Sequence, residues 1–175
     1  TWGTASILSA PGFVHNLDTG EYFLTIKDAV DDTDTLPGHT IKLEAGYQSF
    51  LESLPLIITK GVIIDGSDVD VEFSKSSYVL VSGSDVTAEA EAEGLYLFDS
   101  SENSFQYIDI AGITSTTNAF ASSHASSAEA DSAAFGIIID ESSKNTFQYI
   151  DIAGISSTAE AWASSVFSYA TADSV

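Results

Sequence analysis

Any chemistry in this chain would have to start from its acids. Asp and Glu together number 26 against five lysines and no arginine, a formal charge of −21. Two segments concentrate carboxylates, Asp65-Gly-Ser-Asp-Val-Asp70 and Asp31-Asp-Thr-Asp34. Hard cations prefer such oxygen donors, which makes Asp65, Asp68 and Asp70 the candidate calcium ligands. Neither segment has EF-hand spacing or the glycine-rich nonapeptide repeat, and diffuse counterion binding is the competing reading. Asp109 and Asp151 are the other acids to weigh, because glycosidases need two carboxylates roughly 5–10 Å apart. They fall at equivalent places in two copies of one repeat, which suits a structural position better than a tuned pair. His15, His39 and His124 are far apart, with no paired spacing for zinc or a triad. Cysteine is absent, which excludes disulfides and thiolate chemistry. The residues therefore read as those of a non-enzyme with no cofactor beyond calcium or other cations.

Composition narrows the partners. Phosphate binding requires clustered cationic side chains, so nucleic acid is excluded, and an anionic membrane surface is excluded on the same ground. No apolar run approaches the roughly 20 residues of a membrane span. Even so, 44% of residues are hydrophobic and 11% aromatic, a composition that folds. The 175 residues suffice for one domain, and no linker divides them. A start at Thr1 without Met fits a processed N-terminus or an excised domain.

The strongest feature is an internal duplication. Residues 94–133 match residues 136–175 at an offset of 42, with 24 of 40 positions identical. The nine residues from Phe105 to Ile113 recur unchanged from Phe147 to Ile155. Period-2 alternation runs through both copies and helical spacing is absent, which predicts strands. A unit of 42 residues is about two turns of a β-solenoid with roughly 20 residues per coil, so the two blocks are expected to be two-coil units. Upstream, residues 40–44, 56–58, 62–65, 69–73 and 78–81 are also strand-like, punctuated by Gly46, Gly61, Gly66 and Gly83. Thr87-Ala-Glu-Ala-Glu-Ala-Glu93 alternates small and acidic residues and presents one acidic face. The helix candidate is Tyr22 to Asp31, with Ile26, Ala29 and Val30 on one side.

Residues 14–30, then Gly38-His-Thr-Ile-Lys-Leu-Glu-Ala-Gly-Tyr47 and Lys60-Gly-Val-Ile-Ile-Asp-Gly66, carry a resemblance. The order of a short helix, a glycine-led strand and a second glycine-led strand resembles the opening of right-handed parallel β-helix surface proteins. Such proteins occur on the surfaces of methanogenic archaea and some bacteria, and the chain resembles methanogen sheath and surface-layer subunits in particular. The resemblance covers most of the chain from Val14 onward, the later coils by style more than by motif. It implies an all-β, right-handed parallel β-helix (a β-solenoid) over residues 1–175, with a short N-terminal capping helix and first coil in residues 14–47. It also implies an extracellular, cell-surface structural subunit that assembles with itself into a sheath, layer or fibre. The alternative function is a carbohydrate-binding or adhesive module, for which Trp2, Trp162 and the tyrosines are the candidate platform and a surface polysaccharide the partner. A polysaccharide-degrading enzyme of this fold is disfavoured by the missing arginine.

Parallel coils would stack equivalent residues. Asn103 over Asn145 is the expected amide ladder, with Phe105 over Phe147 and Tyr107 over Tyr149 as ring stacks. If each block holds two coils, these pairs stand two strand spacings apart, about 9–10 Å. The C-terminal alternation through Trp162, Phe167 and Tyr169 has no capping device, and an uncapped strand edge invites another chain. Those three residues are the expected assembly edge.

Overall fold

A computed structural model describes residues 12–121, 125–163 and 167–175, and of residues 125, 126 and 167–169 it describes the backbone. Trp2, His124 and the side chains of Phe167 and Tyr169 lie outside that description. In chain order the elements are β1 (Val14–Asn16), β2 (Glu21–Phe23), helix α1 (Ile26–Asp31), β3 (Thr40–Leu43), β4 (Leu56–Ile58) and β5 (Ile63–Asp65). They continue as β6 (Glu72–Gly83), β7 (Asp85–Phe98), β8 (Ser104–Gln106), β9 (Asp109–Ala121) and β10 (Ala125–Asp140). The last are β11 (Thr146–Gln148), β12 (Ile152–Ala153), β13 (Ser156–Ala163) and β14 (Phe167–Ser174). The class is all-β with parallel sheets. Two compact units form, neither contiguous in sequence.

The first unit takes the described residues up to Glu72 with Leu97–Ile108 and Ile139–Ile150. Its six-stranded sheet has the order β11-β8-β5-β3-β1-β2. Strands β3, β5, β8 and β11 are parallel. Strand β1 is antiparallel to both β2 and β3, so β2 runs in the same sense as β11. Alternation in these short strands buries Val14, Ile41, Leu43, Ile64 and Phe105 on one face. Gly61 is required here: a Cβ would stand 2.2 Å from the Ser101 carbonyl oxygen.

The helix is shorter than its spacing predicts. Tyr22 and Phe23 belong to β2, paired with His15 and Val14, and the Tyr22 ring stacks on His15 at 4.0 Å. Helix α1 begins after Thr25, whose hydroxyl accepts from the Asp28 N–H at 3.0 Å and caps it. Pairing partners for Tyr22 outweigh the apolar spacing that would extend the helix.

The second unit holds Phe73–Tyr96, Asp109–Ile138 and Asp151–Val175. Strands β12 and β13 follow β9, and β14 follows β10, all parallel at an offset of 42. Strand β6 also pairs with β9. The core is built from small residues: Ala88, Ala119, Ala121, Ala128 and Ala130, with Val86. Hydroxyls add hydrogen bonds across it. Ser115 Oγ donates to the Ala90 carbonyl at 2.8 Å, and Ser157 Oγ, 42 residues on, donates to the Ser132 carbonyl at 2.5 Å. Along β7 the alanines 88, 90 and 92 point in, while Thr87, Glu89 and Glu91 point out.

One expectation is corrected. Residues 42 apart are immediate hydrogen-bonded neighbours, Phe105 with Phe147 in β8 and β11, Thr114 with Ser156 in β9 and β13. Blocks 94–133 and 136–175 are therefore single layers and not two-coil units. Each spends its 42 residues on three sheets, one long strand of 13 residues or more included in the first copy, instead of on two rounds of short strands.

Candidate assembly edge

The repeat turns its corners with left-handed backbone. Asp99, Glu102 and Tyr107 have φ of 44°, 64° and 57°, and their equivalents Glu141, Lys144 and Tyr149 have 48°, 58° and 56°. A non-glycine residue held there costs roughly 1–2 kcal/mol, so the layer must return that energy elsewhere. Four backbone bonds do so: Asp99, Glu102, Tyr107 and Ile110 donate to the carbonyls of Asp140, Ser143, Gln148 and Asp151, at 2.8–3.2 Å.

Within the first unit an asparagine ladder runs along the turns. The Val62 N–H donates to Asn103 Oδ1 at 3.0 Å. Asn103 donates in turn, through Nδ2 at 2.9 Å and its backbone N–H at 3.0 Å, to Asn145 Oδ1. Asn103 Nδ2 is also held by Ser100 Oγ at 2.9 Å. Asn145 Nδ2 is shielded from solvent and has no acceptor among the described residues. Buried amide donors are almost always paired, so this one marks an unfinished rung.

Rings repeat the pattern. Phe105 and Phe147 stack with centroids 5.3 Å apart, Tyr107 and Tyr149 at 4.5 Å. In the second unit Phe120 and Trp162 stack at 4.7 Å. All three separations are close to one strand spacing. Each pair turns one face of each ring to its partner, and Tyr149 at the outer end of its stack is 70% exposed. Trp162 is 46% exposed on β13. Phe167 and Tyr169 lie on β14 beside residues 125 and 127.

Lys42 occupies the expected calcium loop. Its Nζ stands 2.8 Å from Asp68 and 3.2 Å from Asp65. The hydrogen bond to Asp68 holds the lysine pKa above its usual value, against the opposing effect of burial. Burial works against ionisation of Asp65, but the Ser67 N–H and hydroxyl and the Lys42 ammonium outweigh it and hold the carboxyl below its usual range. The structure brings Asp65 and Asp68 together around this lysine, with no such contact drawn to Asp70. Elsewhere Glu21, Asp32 and Asp34 approach one another, an arrangement a chain of charge −21 reaches without any ion.

The two described histidines have separate partners. His15 Nδ1 meets Glu44 at 3.2 Å, and His39 Nδ1 meets Asn16 Nδ2 at 3.3 Å. Asp109 and Asp151 are neighbours along the layers, the Asp151 N–H donating to Asp109 Oδ1 at 3.2 Å. A groove of about 510 Å³ in the second unit is lined by Glu89, Glu91, Asp131 and Asp173. Asp131 and Asp173 are register partners on β10 and β14, so these acids form a row along one sheet.

Sequence reasoning missed Glu52. It is 8% exposed and accepts from the Ile26 N–H at 2.5 Å, the Tyr47 hydroxyl at 2.8 Å and the Lys27 N–H at 3.4 Å. Burial pushes its pKa up in spite of those bonds, and burial beside Glu52 pushes the Tyr47 phenol far above its usual value. No local motif could have found a carboxylate that binds the start of a helix 26 residues away. Compared with models of known families, with curated proteins and with solved structures, the chain finds no match.

Proposed function

We propose that this chain is an extracellular structural protein, a subunit of a self-assembling cell-surface sheath, layer or fibre, and not an enzyme. The fold we propose is a right-handed parallel β-helix in which α1 caps the first coil. One observation carries the reading: equivalent residues of the duplicated blocks stack in parallel register in all three sheets. Backbone ladders of that kind give stiffness along the stacking direction, which is a mechanical property. The similarity of residues 14–66 to β-helix surface proteins adds the cell-surface location. The partner is a further copy of the chain, with calcium or other cations screening subunits that each carry −21.

Electron microscopy of the assembled material tests the proposal. Ordered tubes, lattices or fibres that loosen when chelator is added at low ionic strength are the expected result. Dispersed monomers that turn over a polysaccharide would replace it with the enzymatic reading.

A further inference from the structure

We infer that two edges of the six-stranded sheet are complementary, so that β11 of one copy receives β2 of the next, head to tail. The inference rests on the self-assembly reading above and names the surfaces that would perform it.

Among the described residues the sheet has two ends, β11 and β2. Because β1 is antiparallel to both of its neighbours, β2 runs in the same sense as β11. Adding β2 of a second copy beyond β11 therefore continues the parallel run of β5, β8 and β11 without reversing it. The spelling of the two edges also agrees. Asn145-Thr-Phe147 has a buried amide donor two residues before a phenylalanine, and Glu21-Tyr-Phe23 has a carboxylate two residues before one.

Placing Phe23 of the second copy beside Phe147 brings Tyr22 to Thr146 and Glu21 to Asn145. That register supplies each missing partner. Asn145 Nδ2 is the donor without an acceptor, and its equivalent Asn103 Nδ2 sends its hydrogen bond to the next layer. Glu21 is exposed and offers acceptor oxygens only. Lys144 flanks Asn145 but is engaged by Glu102 at 2.9 Å, so the hydrogen bond from Asn145 to Glu21, and not a difference in charge, is what the register offers. Phe147 gains on its outer face the ring contact that Phe105 gives its inner one. The contact is heterologous, and repetition of it yields an open filament or a ring.

Two substitutions break the contact from opposite sides. Asn145→Asp keeps the oxygen that accepts from Asn103 but loses the donor and sets a carboxylate against Glu21. Glu21→Lys removes the acceptor and sets a cation near Lys144. Sedimentation velocity on the 175-residue chain is expected to show large species for the parent and monomers for each variant alone. An equimolar mixture of the two variants forms the unaltered pair at one contact and an ammonium–carboxylate pair at the next, and is expected to recover large species in which the two chains alternate. The chain carrying both Glu21→Lys and Asn145→Asp sets an ammonium on β2 against a carboxylate beside β11 and is expected to recover large species. If both single variants still assemble like the parent, this edge pairing is wrong while self-assembly stands. If the parent stays monomeric at every concentration, both fall. Circular dichroism spectra matching the parent establish that each variant is folded.

Discussion

Phe105 and Phe147 hold the same place in two copies of one repeat, yet Phe105 is 2% exposed while Phe147 is only half-buried. Tyr107 and Tyr149 differ likewise, at 42% and 70%, and Ile110 and Ile152 at 1% and 50%. Asn103 has every amide hydrogen bond placed, and Asn145 has a donor left over. The residues are identical and so are the corner dihedrals, so neither propensity nor conformation separates the copies. What separates them is the layer on either side: among the described residues the first copy is covered on both faces and the second on one. In a stacked architecture the energy of a residue is set by its neighbours along the stack, and identical sequence then carries unequal stability.

The comparison breaks most visibly at the phenylalanines. Phe105→Ala removes a ring buried between two layers and is expected to cost about 3–5 kcal/mol, the range for large core truncations. Phe147→Ala removes a ring with one stacked neighbour and is expected to cost about half as much. Urea unfolding followed by far-ultraviolet circular dichroism measures both. Equal losses would mean that covering layers do not set the energetics. Association through β11 would itself raise the cost of Phe147→Ala, so the measurement belongs at concentrations where the chain is monomeric.

Much of this was legible before any coordinates. The offset of 42 gave which residues align along the stack, though not that they pair directly, and alternation assigned the inward alanines of β7. The number of layers per repeat was not legible. Forty-two residues accommodate two rounds of short strands or one round with long ones, and period-2 alternation is the same in both. The structure also continues the stack further back than the spelling does. Ser127 N–H donates to Asp85 Oδ1 at the same 42-residue offset, and Ile64 registers with Phe105. Asp85 and Ser127, or Ile64 and Phe105, share a position without sharing a residue type, so no identity count could reveal them. Lys42 between Asp65 and Asp68 was hidden for another reason, because the pairing of β3 with β5 brings it there from 23 residues away.

Glycines at the head of each copy sharpen the comparison at a smaller scale. A Cβ on Gly94 would meet the Gly136 carbonyl oxygen at 2.6 Å, a backbone atom that cannot step aside alone. The nearest atoms to a Cβ on Gly136 would be those of the Ile152 and Ile155 side chains, at 3.1 Å and beyond. Gly94→Ala is expected to cost about 1–3 kcal/mol, as overpacking does, and Gly136→Ala less than about 1 kcal/mol. Thermal melts of the two variants decide it. A melting temperature lowered equally by both would show that the second copy is as tightly covered as the first.

The smallest effect concerns protons, and it lies outside the repeats. Glu52 and Glu93 are held above the usual carboxylate range, Glu52 by burial and Glu93 by burial and the neighbouring Glu91 charge. The positions 42 residues later are Gly94 and Phe135, so neither copy of the repeat inherits the acid. Inside the repeat the shift is reversed: Lys144 holds Glu102 below its usual value, at the exposed surface where such a pair contributes little. For Glu52 the folded state binds its proton more tightly than the unfolded chain, whose value is near 4.5. Stability from this group is therefore complete below that pH and is lost as pH rises through the folded value. Asp65 has the opposite sign, and its contribution is lost as pH falls through its lowered folded value, below the ordinary 3.8. Melting temperature is expected to rise as pH is lowered from 7 towards 4.5 and to turn down in stronger acid. Relief of repulsion among 26 acids has the same sign in the upper window, so the parent profile alone does not isolate Glu52. Glu52→Gln does: it keeps an acceptor for the Ile26 N–H, removes the titration, and is expected to flatten the rise between pH 7 and 4.5. A Glu52→Gln profile parallel to the parent would assign the whole rise to charge repulsion.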